Sequence, residues 1–203
     1  MRPSAMFPAN KIRLSLGLLV TAGAILSLGP RLNSQAAPLD KIQRSVDLIR
    51  QILDKDGLYT RTTTSGTQYK SVTERKFTLK EAKGCQLIVT SDVHTHTDMP
   101  AQHRVVDRKW TDIYRPDFSS LDPASVFESE PQPPQPNWEA KGYLVRIPVE
   151  VGKALIPAST VNNETNEEHG LPGLPNLAVY VTTREQADRL AKPFTGVATA
   201  CHA

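Results

Sequence analysis

Apolar and polar residues alternate along two stretches of this chain, and such alternation favours β-sheet over other folds. In the first stretch, residues 85–96, the apolar residues Cys85, Leu87, Val89 and Val93 lie at odd positions, and the even positions are polar except for Ile88. The second stretch is the clearer one and alternates from Tyr143 to Val151. Each predicts a strand with one buried face. Pro148 lacks an N–H and predicts an edge position or a break in the second strand.

Residues with helical spacing lie at both ends of this region. Before it, apolar residues recur three and four apart and stop at Gly57: Leu39, Ile42, Val46, Ile49 and Leu53. They predict a helix over residues 37–57 that packs on the protein's own sheet, the alternative being a heptad seam for a partner helix. A second helix is expected after Thr182 or Thr183, either of which can start a capping box. Pro193 predicts a kink or a weak second half there.

The remaining segments predict further strands and two long loops. A hairpin turn is expected at Ser65-Gly66, and residues 104–114 form a strand with Trp110 and Tyr114 on one face. Residues 131–138 contain four prolines and predict a stiff surface loop, or less readily a PxxP ligand. Residues 157–176 predict a mobile loop. The fold class is α+β: over residues 58–203, a curved, mainly antiparallel sheet or partial barrel of six to seven strands, with an N-terminal helix and a C-terminal capping helix.

The first 36 residues have the layout of a secretory signal peptide. They carry four basic residues and no acidic one. Arg2, Lys11 and Arg13 precede an uncharged apolar run over residues 14–29, and small residues follow at Ser34 and Ala36. A membrane anchor is the alternative, but this run is shorter than the ~20 residues that span a bilayer. We therefore expect cleavage after Ala36 or Ala37 and a secreted or periplasmic protein, with no membrane span after cleavage.

Cys85 and Cys201 are the two cysteines of the chain. In the oxidising compartment that an exported protein meets, two cysteines are expected to pair. A reactive thiol is the alternative, but neither cysteine lies in a C-x-x-C motif. We predict a Cys85–Cys201 disulfide that ties the end of the chain to an early strand.

Three short segments resemble exported bacterial proteins of no assigned activity. They are GCQL at residues 84–87, LDPASV at 121–126, and REQADRLA at 184–191 together with Cys201. The order of strands followed by one terminal amphipathic helix also looks like pleckstrin-homology-type domains. This resemblance covers roughly residues 58–203 and implies a sheet with a closing helix, without catalytic residues to transfer. Pro193 departs from the continuous closing helix of such domains.

The motifs of several chemistries are missing from the sequence. It has no G-x-S-x-G nucleophile motif, no phosphate-binding loop and no dinucleotide fingerprint. The carboxylate pair Glu167/Glu168 lies in a predicted loop, so we expect both acids to be exposed to solvent. Without the leader, 20 basic residues face 21 acidic ones, so no nucleic-acid partner is expected. These observations favour an exported, non-enzymatic binding or interaction module without a cofactor, whose partner is an unknown protein or small molecule touched by residues 131–138 and 162–175.

A cluster of histidines supports a different function. His94 and His96 share a strand face, and a turn centred on Met99-Pro100 would place His103 opposite His96. Three imidazoles could bind Zn²⁺, Cu²⁺ or Ni²⁺. The alternative function is therefore a periplasmic metal-handling or metal-dependent protein using His94, His96 and His103. The competing interpretation is a set of solvent-facing histidines at an exposed hairpin tip.

Overall fold

The computed structural model describes residues 36–65, 68–129, 138–140 and 142–203. Two α-helices lie at the two ends of this part of the chain, α1 at Ala36–Asp56 and α2 at Arg184–Cys201. Between them are ten described strands: β1 (Leu58–Ser65), β2 (Tyr69–Lys83), β3 (Gln86–Met99), β4 (Arg104–Tyr114), β5 (Phe127–Ser129), β6 (Trp138–Ala140), β7 (Tyr143–Pro148), β8 (Ile156–Asn162), β9 (Glu168–Leu174) and β10 (Asn176–Val181).

The strands form two antiparallel sheets. The larger has seven strands in the order β6-β1-β2-β3-β4-β8-β9, and the smaller has three in the order β10-β7-β5. The α+β class with a helix at each end is confirmed. The expected six to seven strands match the larger sheet alone, and among the described residues neither sheet closes into a barrel.

The hydrophobic core lies among the two helices, the small sheet and one face of the large sheet, called here the inner face. This face carries Phe77 of β2 with Leu87 and Val89 of β3, all buried. Helix α1 packs on both α2 and β2, so the expected packing within the chain is confirmed, although Leu39 at its start is exposed. The helices approach closely at Gly196, where an added Cβ would lie 2.8 Å from Ser45 Oγ.

Helix α2 begins with a complete capping box. Thr183 Oγ1 accepts a hydrogen bond from the Gln186 N–H at 3.2 Å, and the Gln186 side chain accepts one from the Thr183 N–H at 2.9 Å. Of the two threonines predicted to start a capping box, the structure thus uses Thr183. The helix continues through the buried Pro193 to Cys201 as one element, so Pro193 does not end it.

The Cys85–Cys201 disulfide is confirmed, with Cα atoms 5.8 Å apart. It joins the last turn of α2 to the turn that precedes β3. Both cysteines are partly buried against the core. A disulfide in this position is consistent with an oxidising compartment outside the cytoplasm.

The prediction of a mobile loop over residues 157–176 is wrong. These residues form most of β8 and β9, and β8 pairs with β4 so that Trp110 opposes Asn162. Their sequence lacks clean alternation because a bulge follows Ile156 and because β9 is an exposed edge strand. Edge strands tolerate the proline and glycine residues that hide a strand pattern.

Glu168, expected to be a solvated acid in that loop, is held by two hydrogen bonds at the start of β9. Its Oε1 accepts from Ser159 Oγ at 2.5 Å and from Arg115 Nη2 at 3.2 Å. These bonds lower the pKa of Glu168 below its usual value. The same contacts join β9 to β8 and to the end of β4.

The predicted hairpin at Ser65-Gly66 joins β1 to β2, with Ser65 opposite Tyr69. Strand β7 ends at Pro148, which agrees with the predicted break, but β7 is the central strand of the small sheet and does not lie at its edge. Trp138 begins β6, so the predicted proline-rich loop ends before it. The signal peptide of residues 1–36 and prolines 131–136 lie outside the described residues, apart from Ala36 at the start of α1.

Candidate functional site

The β3–β4 hairpin extends beyond the end of β8 and leaves a step in the large sheet. Strand β4 pairs with β3 from Arg104 to Tyr114, but with β8 only from Trp110 to Tyr114. Residues 104–109 therefore project past Asn162, where β8 ends. At ~3.3 Å per residue the projecting part is about 20 Å long.

An open cleft of about 940 Å³ occupies this step. Its floor is the inner face of β3 and β4 beyond the region that the helices cover, and its wall is the end of the β8–β9 hairpin. On β3 the buried residues end at Val93, and the next residues on the same face, Thr95, Thr97 and Met99, are partly exposed. Side chains that line the cleft include Thr95, Thr97, Arg104, Arg108, Trp110 and Asn162.

One side of β4 is unpaired within the step. The Asn163 N–H donates to the Lys109 carbonyl at 3.3 Å, and the Arg115 N–H donates to the Pro157 carbonyl at 2.9 Å. The odd-numbered residues of β4 therefore direct their backbone N–H and carbonyl groups toward β8. Val105 and Asp107 follow the same period, but β8 has already ended, so their backbone groups on this side lack a strand partner among the described residues.

Positive side chains predominate in the cleft. Arg104 and Arg108 are exposed on the inner face of β4 and form no ion pair with the described residues. Lys109 and Asp107 also line the cleft, but their odd positions place both side chains on the outer face of β4. The two arginines therefore favour a negatively charged ligand, although the carboxylate of Glu164 also lines the cleft.

A partly buried ion pair lies between the core and the cleft. Arg75 Nη1 donates to Asp112 Oδ2 at 3.0 Å, and the Asp112 side chain is only 11% exposed. The Tyr114 hydroxyl lies 3.5 Å from the same oxygen. Burial, and then the negative charge of Asp112, raise the pKa of Tyr114 to about 12.

The hydroxyl groups on the cleft floor are fixed by bonds between β2 and β3. Thr95 Oγ1 lies 3.2 Å from Thr73 Oγ1, and Thr97 Oγ1 lies 2.9 Å from Ser71 Oγ. Their partners are hydroxyls, which are weak bases. Within the described part of the chain, these threonines therefore have the chemistry of hydrogen-bonding groups, since neither bonds to a base of the kind that activates a nucleophile.

The predicted histidine arrangement is wrong in its strand register. A 3-10 turn at Pro100–Gln102 is followed by His103 with φ of 49°, so the connection is longer than the tight turn we expected. As a result His96 lies opposite Asp107, four residues from the predicted partner His103. The register differs from the predicted one by four residues. Because this is an even number, His96 stays on the expected polar face and only its partner on β4 changes.

His94 and His96 instead share one carboxylate oxygen. His96 Nδ1 lies 2.9 Å and His94 Nε2 lies 3.3 Å from Asp107 Oδ1. Hydrogen bonding to His96, the larger contribution, and to His94 lowers the pKa of Asp107. Among the residues that the structure describes, no group of three His, Cys, Asp or Glu side chains is arranged to bind a metal ion.

Comparisons of the chain with protein-family models, with curated proteins and with solved structures found no match. The resemblance to exported bacterial proteins and to pleckstrin-homology-type domains therefore stays a prediction. Within the described residues, no helix has the length and apolar character needed to cross a membrane.

The sequence indicated only part of the cleft. Trp110 and Tyr114 were predicted to share a face of the strand. This is confirmed, because they lie opposite Val93 and Val89, which are both on the inner face of β3. Arg104 and Arg108 were missed, although their spacing places them on that same face. The step itself depends on where β8 ends, and the sequence contains no signal for that.

Proposed function

We propose that this protein is a non-enzymatic binding module that acts outside the cytoplasm, and that the cleft at the β4–β8 step is its binding site. The cleft itself is the observation that carries this proposal. It combines an open volume of about 940 Å³ with β4 backbone groups that lack a strand partner and with Arg104 and Arg108, which form no ion pair, counting the described residues alone. Concave sites with a few well-placed polar groups are typical ligand sites.

Two further observations support parts of the proposal. The hydroxyls of Thr95 and Thr97 on the cleft floor bond to other hydroxyls, which suits binding better than nucleophilic chemistry. The Cys85–Cys201 disulfide suits an exported protein, in agreement with the signal peptide predicted over residues 1–36. Asn162 at the cleft wall lies in the segment 162–175 that we expected to touch a partner.

Amide chemical shifts would test the proposal. The ¹⁵N-labelled protein, expressed with its own leader, is titrated separately with acidic peptides, basic peptides, neutral oligosaccharides and small dicarboxylates. At least one of these classes should shift the amides of Thr95, Val106 and Trp110 more than the outer-face amide of His94. Each compound should be recovered chemically unchanged.

A pair of variants on one strand provides the control. Trp110→Ala alters the cleft, whereas Val105→Ala removes an exposed side chain from the other face of β4. The ligand identified should bind more weakly to the first variant and as before to the second. Shifts confined to other surfaces, the absence of shifts with every class, or turnover of any compound would each refute the proposal.

A further inference from the structure

The step exposes a strand edge with the geometry for adding one more strand. Beyond Lys109, the backbone of β4 has no strand partner on the side of β8 among the described residues, and the backbone groups of Val105 and Asp107 point to that side. Strand addition is a common mode of peptide recognition, in which backbone hydrogen bonds supply affinity and alternate side chains supply specificity. A peptide would here continue the line of β8 along β4.

The existing β4–β8 pairs fix the register of the added strand. Lys109 opposes Asn163 and Arg115 opposes Pro157 across hydrogen-bonded positions. Extending this antiparallel register places five peptide residues opposite Arg108, Asp107, Val106, Val105 and Arg104, in that order. Peptide positions 2 and 4 then form hydrogen-bonded pairs with Asp107 and Val105, because hydrogen-bonded pairs alternate along an antiparallel ladder.

The side chains of β4 determine which peptide fits. Peptide positions 1, 3 and 5 share the inner face with Arg108, Val106 and Arg104. Arginine pairs with carboxylates through two parallel hydrogen bonds, and directly opposed side chains are within contact distance. The cleft therefore matches acidic residues at positions 1 and 5 and an apolar residue at position 3.

The geometry points to an extended acidic peptide segment of another protein as the ligand of this cleft, bound as an additional strand along Arg104–Arg108. This inference rests on the proposed function and specifies its ligand. Position 3 would contact Val106, while the side chains at positions 2 and 4 would lie on the outer face. The required pattern is acidic, any, apolar, any, acidic.

The probe is a synthetic peptide, Glu-Thr-Val-Thr-Glu with blocked ends, and its binding to the full chain is measured by calorimetry. N-methylation at positions 2 and 4 should weaken binding by at least about tenfold, because it removes two strand-pairing donors. N-methylation at position 3 is the matched control. It should change affinity by less than about threefold, because that N–H points away from β4.

A charge exchange tests the role of the arginines. The double variant Arg104→Glu/Arg108→Glu should lose the Glu peptide and gain binding to the same peptide with Lys at positions 1 and 5. Because the variant gains a ligand, this result cannot be attributed to misfolding. Equal binding of the Glu and Lys peptides to the parent protein would refute the charge pattern.

The remaining outcomes separate this inference from the proposed function. If N-methylation at position 3 weakens peptide binding as much as N-methylation at positions 2 and 4, binding by strand addition is wrong. If the Glu peptide does not bind but another compound shifts the cleft amides, the acidic-peptide inference fails while the binding module stands. Self-association of the chain that the peptide does not dissociate would replace the peptide with a second copy as the occupant.

Discussion

At the scale of single residues, Tyr114 marks the boundary between the core and the polar part of the inner face. Its ring packs against the core while its hydroxyl lies 3.5 Å from the carboxylate of Asp112. Burial and this negative charge both disfavour the phenolate, which is why the pKa of Tyr114 is raised to about 12. Burial also raises the pKa of Tyr59 on β1.

The raised pKa of Tyr114 predicts a loss of stability at alkaline pH. Between pH 10 and pH 12 the unfolded chain releases the phenol proton while the folded protein retains it, so the free energy of unfolding falls as pH rises. One such group contributes about 1.4 kcal/mol per pH unit. In Tyr114→Phe the free energy of unfolding, measured with urea, should therefore fall by about 2 to 3 kcal/mol less between pH 10 and pH 12 than in the parent protein.

Tyr69→Phe is the matched control, because it removes a tyrosine from the exposed part of β2. This variant should show the same pH dependence as the parent protein. An equally steep fall in Tyr114→Phe and the parent would contradict the assignment of the alkaline transition to Tyr114.

At the scale of secondary-structure elements, the capping box decides where α2 begins. Thr183 and Gln186 satisfy each other's backbone donors at the first turn. Thr183→Ala should lower the free energy of unfolding by about 1 kcal/mol, because a backbone N–H of that turn loses its acceptor. Chemical unfolding of the two proteins under identical conditions measures the difference.

Thr199→Ala makes the same chemical change on an exposed position near the other end of α2. It should leave stability unchanged or raise it slightly, since alanine is the better helix former. A loss of the same size in both variants would show that the cap is not the cause.

The elements also show how far local sequence patterns reach. The alternation of β3 predicted its two faces correctly, including the buried Leu87, Val89 and Val93. It could not predict that His96 opposes Asp107, because the register depends on the length of the connection at Pro100–His103. Face and register are thus separate properties, and only the first is encoded in periodicity.

At the scale of the whole molecule, the disulfide joins the end of α2 to the turn between β2 and β3. It closes a loop with a sequence separation of 116 residues between Cys85 and Cys201. In the loop-closure model, removing such a bridge costs about 4 to 5 kcal/mol through the greater entropy of the unfolded chain. The double variant Cys85→Ser/Cys201→Ser should therefore unfold at a much lower urea concentration than the oxidised parent protein.

Reduction of the parent protein offers an independent measurement. Added reductant should destabilise the parent by a similar amount and leave the double variant unaffected. A difference below about 1 kcal/mol between the oxidised and reduced parent would show that the bridge does not contribute in this way.

Periodicity and residue chemistry established the parts of this protein that depend on neighbours along the chain. These are the buried stripe of α1, the faces of β3 and β7, the cap of α2 and, with the expected compartment, the cysteine pair. Strands β8 and β9 were not recognised, because a bulge interrupts β8 after Ile156 and because the edge position of β9 tolerates Pro172 and Gly173, which weaken the alternation.

The candidate site was decided by the tertiary structure. Arg104, Val106, Arg108 and Trp110 share a face for local reasons, but the cleft exists only because β8 ends at Asn162 while β4 continues. Strand pairing is a contact between segments far apart in sequence, and its extent depends on chain connections and on long-range hydrogen bonds. Local patterns specify what each strand presents, whereas the pairing of strands determines which of those groups remain free to bind.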